Sequence, residues 1–292
     1  MTSSNILVPG LYFGEGLRWH DDRLYYSDFY EHSVFTSTGD GRVEKVVELT
    51  GMPSGLGWLP DGRMLVVSLR ERQVLVVENG AVSVHADLGE VAEFWTNDMV
   101  VLPDGRAYVG NFAFDLDAFI DAEGPVGLYG DPGPPKGTLA IIEPDGSVRA
   151  GPGQMRFANG MCVTPDGGTL VVAETLGNCL TAFDIEADGS LSGRRIWAEL
   201  ASVAPDGICM DADGCVWVAN AIAPECLRVA EGGEVRARVD TIQAAFCCCL
   251  GGRDGTTLFI ATAGGSHRSI ASASRGGFIR SAEVDVPGIG SP

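Results

Sequence analysis

The sequence has no uninterrupted apolar run near 18 residues, so no segment reads as a membrane-spanning helix. Met1 to Gly10 lacks a basic n-region and an apolar h-region, which predicts no signal peptide. Amphipathic helical periodicity is nearly absent. No GxSxG elbow, P-loop or Rossmann glycine set occurs, which removes the common signatures of serine hydrolases and nucleotide binders. The four histidines, His20, His32, His85 and His267, have no ligand spacing, so a histidine-built zinc site is not expected. Basic residues are scarce, 20 against 39 acidic ones, and the formal charge is −19. Such a surface repels a phosphate backbone and argues against nucleic acid as a partner.

Eight cysteines are present, but no CxxC pair occurs and all lie in the second half: Cys162, Cys179, Cys209, Cys215, Cys226 and the run Cys247 to Cys249. Most sit inside strand-like apolar runs, where a thiol serves as a small hydrophobe. A reduced, cytoplasmic protein is expected. Glycine, in contrast, is abundant: 40 of 292 residues, roughly double the usual share of about 7%. With 15 prolines and no collagen-like period, that surplus predicts many tight turns between short strands.

One pattern recurs along the chain. It reads EGLRWHDDRLYYSD from Glu15, SGLGWLPDGRMLVVS from Ser54, NDMVVLPDGRAYVGN from Asn97, NGMCVTPDGGTLVVAE from Asn159, DGICMDADGCVWVAN from Asp206 and CCCLGGRDGTTLFIAT from Cys247. Each copy is a hairpin around an Asp-Gly-like turn, and a second hairpin signal lies between copies. Four strands in a unit of roughly 40 residues predict an all-β fold, a six-bladed β-propeller with four-stranded antiparallel blades. A single domain over 1–292 follows, with a Gly- and Pro-rich insertion at 112–136 that could serve as a lid. Asn5 to Tyr12 is expected to complete the last blade and close the ring.

Residues at one phase of such a repeat share a height and radius about the central axis. The copies begin with Glu15, Ser54, Asn97, Asn159, Asp206 and Cys247, so two carboxylates and two carboxamides should converge at one mouth of the channel. Two like charges there repel, and burial penalises ionising either one. A divalent cation would resolve both problems, and an all-oxygen donor set suits calcium first, with magnesium or manganese as alternatives. Asp184, Glu186, Asp188 and Gly189 look like the start of an EF-hand loop, but the twelfth position is Arg195, so a blade turn is expected there.

From about Phe13 to Gly264 the chain resembles the SMP-30/gluconolactonase/LRE-like (regucalcin-type) propellers. The pieces that carry the resemblance are FGEGLRWHDDRLYYSD, TNDMVVLPDGRAYVG, FANGMCVTPDGGTLVVAET, APDGICMDADGCVWVAN and CCCLGGRDGTTLFIAT. The resemblance implies a metal-dependent lactonase acting on a small-molecule lactone or ester, its ion held by Glu15, Asn159 and Asp206. Zinc joins calcium, magnesium and manganese as a candidate. Asn97 is implied at the metal or substrate, and Asp206 also as catalytic base. Some relatives hydrolyse organophosphates, and a non-catalytic calcium-binding scaffold is the reading from a different class. Many members carry an Arg two residues before the ND motif; here Trp95 stands in its place, which favours a less polar lactone or ester.

Overall fold

The computed structural model describes residues 2–290; Met1, Ser291 and Pro292, at the ends of the expected single domain, lie outside the described residues. Six antiparallel sheets follow one another along the chain. Their innermost strands are Gly14–His20, Pro53–Trp58, Thr96–Val101, Ala158–Val163, Pro205–Met210 and Ala244–Gly251, each from one copy of the repeat. Consecutive inner strands touch, and the last touches the first, so the ring is closed. Each copy's turn is set locally. Asp61 and Asp104, for example, accept hydrogen bonds from the Arg63 and Arg106 amides at 3.1 and 2.9 Å. Gly105 supplies the φ of +90° that such a turn requires.

Apolar alternation on each strand fills the wedges between neighbouring blades. Leu17, Leu24, Phe259 and Ala261 join the sixth blade to the first, and Leu65, Val67, Met99 and Val109 join the second to the third. Fully burying a side chain of this size contributes about 1.5–3 kcal/mol. All eight cysteines are buried free thiols, and Cys209 and Cys248 touch across two blades at 3.9 Å.

Asn5–Leu11 pairs antiparallel with Gly277–Glu283, as the outermost strand of the sixth blade. Thr2–Ser3 then runs parallel to Val235–Asp240 at the edge of the fifth blade, an addition the repeat does not announce. Between the second and third strands of blade three lies helix α1, Leu116–Gly127, inside the insertion. In blade six the equivalent connection holds the short helix α2, Arg268–Ala271. Among the described residues no helix is long and apolar enough to cross a membrane.

Candidate functional site

Every inner strand is bulged where its copy of the repeat begins. Pairing slips between Glu15 and Arg18, Pro53 and Leu56, Thr96 and Met99, Ala158 and Met161, Pro205 and Ile208, and Ala245 and Cys247. A bulge re-aims the extra residue, here toward the axis. At Gly16, Gly55, Gly160 and Gly207, just after four of the heads, the neighbouring strand approaches too closely for a Cβ. A Cβ on Gly16, whose φ is +59°, would lie 2.3 Å from the Ser54 carbonyl oxygen. This packing explains why glycine follows four of the six heads.

Glu15, Asn97, Asn159 and Asp206 line one cavity. The other two heads stand behind it. Ser54 Oγ donates to Asn97 Oδ1 at 3.1 Å, and Cys247 Sγ accepts from the Leu17 amide at 3.3 Å. A run of donors continues along the ring. Asn97 Nδ2 donates to Asn159 Oδ1 (2.8 Å), Asn159 Nδ2 to Thr175 Oγ1 (3.2 Å), and Thr175 Oγ1 to the carbonyl of Pro205 (2.8 Å). Both carboxamides are thereby held in fixed orientations, and a second lone pair on each oxygen stays free.

The carboxylates are poorly satisfied. Glu15 and Asp206 are only 6% and 7% exposed. Glu15 Oε2 accepts from the neighbouring Gly16 amide at 3.2 Å, whereas Asp206 Oδ1 is buried with no hydrogen-bond partner. Burial pushes the Glu15 carboxyl well above the usual range, and the charges of Asp206 and Asp98 push it further. Asp206 is likewise raised, by burial first and then by Asp98. Asp98 is paired behind them: Arg18 Nη2 donates to Asp98 Oδ1 at 3.0 Å and to the Met99 carbonyl at 2.5 Å. In the sequence Asp98 is part of the ND motif and nothing marks Arg18, because their contact joins blades eighty residues apart.

These groups fit a hard cation. Two crowded carboxylates, two fixed carboxamides and an orphaned buried oxygen are what a divalent ion would relieve. Among the described residues no group of three or more His, Cys, Asp or Glu side chains is placed to hold a metal, so the carboxamides are indispensable to any such site.

Trp95 lines the same cavity, half-buried. It stacks on Phe94 with ring centroids 4.9 Å apart, and the exposed guanidinium of Arg70 lies 4.9 Å from its centroid. The remaining walls are largely aromatic and aliphatic, with Phe13, Phe29, Phe112 and Phe157 among them. Part of the insertion takes part: Leu116, Asp117 and Ile120 of α1, then Leu128 and Tyr129, also line the cavity. The segment from Asp184 to Gly189 lies at the turn between Cys179–Ile185 and Leu191–Glu199, away from the cavity.

A family model described as SMP-30/Gluconolactonase/LRE-like region matches residues 13–264. Regucalcin from Danio rerio is 27% identical over 186 residues, covering 61% of this chain and 57% of that protein. A 6-deoxy-6-sulfogluconolactonase from Pseudomonas putida is 27% identical over 166 residues, 53% of this chain and 56% of the other. The chain thus matches little more than half the length of these relatives. The crystal structure of a calcium-binding protein, regucalcin, from Agrobacterium tumefaciens superimposes with a TM-score of 0.78, covering 100% of this chain and 97% of that one. At 19% identity that likeness speaks for the fold alone.

Proposed function

Because this chain belongs to the SMP-30/gluconolactonase/LRE-like family, we propose that it is a divalent-metal-dependent hydrolase that opens a lactone ring. The observation that carries this reading is the buried pair Glu15 and Asp206, both raised in proton affinity, beside an Asp206 oxygen without a partner. The sulfogluconolactonase from Pseudomonas putida supports the lactone class, and the all-oxygen donor set at the cavity floor supports calcium as the ion. Glu15, Asn159 and Asp206 would hold it. When bound, a divalent ion supplies electrophilic polarisation of a carbonyl oxygen.

The chain's own groups do the rest. Asn97 has one amide hydrogen committed to Asn159, which leaves the other to position a substrate oxygen. Asp206 Oδ1 accepts a proton from the attacking water, helped by a site whose burial and neighbouring Asp98 both favour the protonated form. Water's oxygen bonds to the carbonyl carbon, the ring C–O bond breaks, and the ring oxygen leaves as a hydroxyl with the proton returned. The aromatic walls lower the local dielectric around these charges. The eight buried free thiols support a cytoplasmic setting.

Metal analysis of the purified protein, followed by a lactone panel with and without chelator, tests this reading. Turnover should vanish on chelation and return with calcium. Undiminished turnover in a metal-free sample would remove the metal from the mechanism. Stoichiometric calcium with no hydrolysis of lactone or ester would favour a binding scaffold.

A further inference from the structure

The cavity has two unlike poles. Its floor carries the oxygens of Glu15, Asn97, Asn159 and Asp206, while the side toward the insertion is formed by Phe112, Leu116, Ile120, Leu128, Phe157 and Leu176. Those six pack into one apolar cluster, so the wall is built from contacts of its own. Among the described residues no lysine, arginine or histidine lines the cavity, and Glu15, Asp117 and Asp206 bring carboxylates to it. Arg70, the cation beside Trp95, lies over its indole.

Above the floor the polar side chains are Tyr30, Asp117, Tyr129, Thr175 and Ser266, outnumbered by the apolar ones and partly committed. Thr175 Oγ1 both donates to the Pro205 carbonyl and accepts from Asn159. Asp117 accepts from the Arg268 amide at 3.2 Å. A polyhydroxylated ring would have to leave hydroxyls unpaired against phenylalanine and leucine, and a carboxylate, sulfonate or phosphate would meet like charge.

We infer that the substrate is an uncharged lactone bearing an aromatic or branched alkyl group, and that the insertion sets this preference. This rests on the hydrolase reading above. The ring carbonyl lies over the four oxygens of the floor, and the apolar group is enclosed by Phe112, Leu116, Ile120, Leu128 and Phe157. The insertion supplies Leu116, Ile120 and Leu128, which are specificity-determining side chains remote from the reacting bond.

The test uses calcium-loaded protein and four δ-lactones: unsubstituted, phenyl-substituted, polyhydroxylated and carboxylated. The phenyl lactone should exceed the unsubstituted one in kcat/KM by about tenfold or more, and the polyhydroxylated and carboxylated ones should fall below both. Replacing Leu116→Ser and Ile120→Ser together should lower the phenyl-to-unsubstituted ratio by about tenfold. No residue of α1 is fully buried, so folding should tolerate the change; a thermal melt checks it. Preference for the polyhydroxylated or carboxylated lactone, or a ratio the double variant leaves unmoved, overturns the inference while leaving the hydrolase reading intact. If no lactone is hydrolysed, calorimetry with the same compounds decides. Selective binding of the phenyl lactone, lost in the double variant, sustains the wall assignment without the chemistry, and absence of selective binding removes both.

Discussion

Asp206 sits under opposing influences: burial and Asp98 raise its proton affinity, whereas a bound cation would lower it. Asp206→Asn separates its two proposed roles, since the amide keeps an oxygen donor and removes the proton acceptor. We expect metal content to be retained and kcat to fall by about 10²–10⁴-fold, read from steady-state kinetics on a metal-loaded variant. Intact turnover would exclude Asp206 as the base. The raised carboxyls also predict how the metal-free protein responds to pH. For a carboxyl raised on folding, the folded state holds more protons than the unfolded one between the two pKa values, so stability falls as pH rises through that window. The slope is about 1.4 kcal/mol per pH unit for each proton concerned. Chelated protein should therefore melt at a lower temperature as pH climbs above the usual carboxylate range, and Glu15→Gln should flatten the curve. A melting temperature that rises over that window would contradict the assignment. The four floor residues could be read from the sequence because a repeat turns phase into position. Arg18 could not: its phase is shared with Gly57, Val100, Cys162, Cys209 and Leu250, which predict nothing about a buried cation.

Helix α1 is not legible in the sequence. The Gly- and Pro-rich part of the insertion was visible, but the helical segment before it is short and is broken at Gly124 and Pro125, where φ at Gly124 is +72°. Its start is set by Asp115, whose carboxylate accepts from the Ala118 amide at 2.9 Å. Blades three and six face each other across the ring, and α1 reaches α2 over the mouth. Arg268 Nη2 donates to Asp121 Oδ2 at 3.1 Å, and His267 Nε2 lies 3.3 Å from Asp121 Oδ1. Asp121 and Arg268 are more than half exposed, and ion pairs of that kind contribute about 0–1 kcal/mol. We propose that α1 acts as a lid, with ion pairs to α2 weak enough to let it open. Arg268→Ala should leave the melting temperature nearly unchanged while amide exchange across residues 116–127 accelerates and KM for the apolar lactone rises. Unchanged exchange there would show that α1 is held by its apolar contacts instead.

At the scale of the whole molecule, the turn chemistry and alternation repeated in each copy reach the propeller directly. The closing strand follows too, because an open blade edge has to be covered. What the repeat could not contain is the edge strand Thr2–Ser3, or the seat of Arg280, which donates to Ser4 Oγ and to the Ser4 carbonyl, each at 2.8 Å. Those contacts join the two ends of the chain and, among the described residues, have no counterpart in other blades.

The charge of −19 likewise belongs to no single element, and it bears on which substrates arrive. One divalent ion would offset only two of those charges, so the field outside the mouth stays negative and repels anions. Screening decides how far that repulsion reaches: about 30 Å at 0.01 M salt but about 8 Å at 0.15 M. A carboxylated lactone should therefore be disfavoured most at low salt, and its kcat/KM should rise several-fold across that range, whereas a neutral lactone of similar size should hardly respond. Steering acts on encounter, so the change belongs in kcat/KM and not in kcat. Trp95→Arg adds one cation at the wall and should raise kcat/KM for the carboxylated lactone at every salt concentration, because a charge in contact with the substrate is screened far less than the distant field. Both kinetic series need only two substrates and two proteins. A wild-type rate for the carboxylated lactone that falls with added salt would mean that local positive potential, and not the net charge of the chain, governs approach to the cavity.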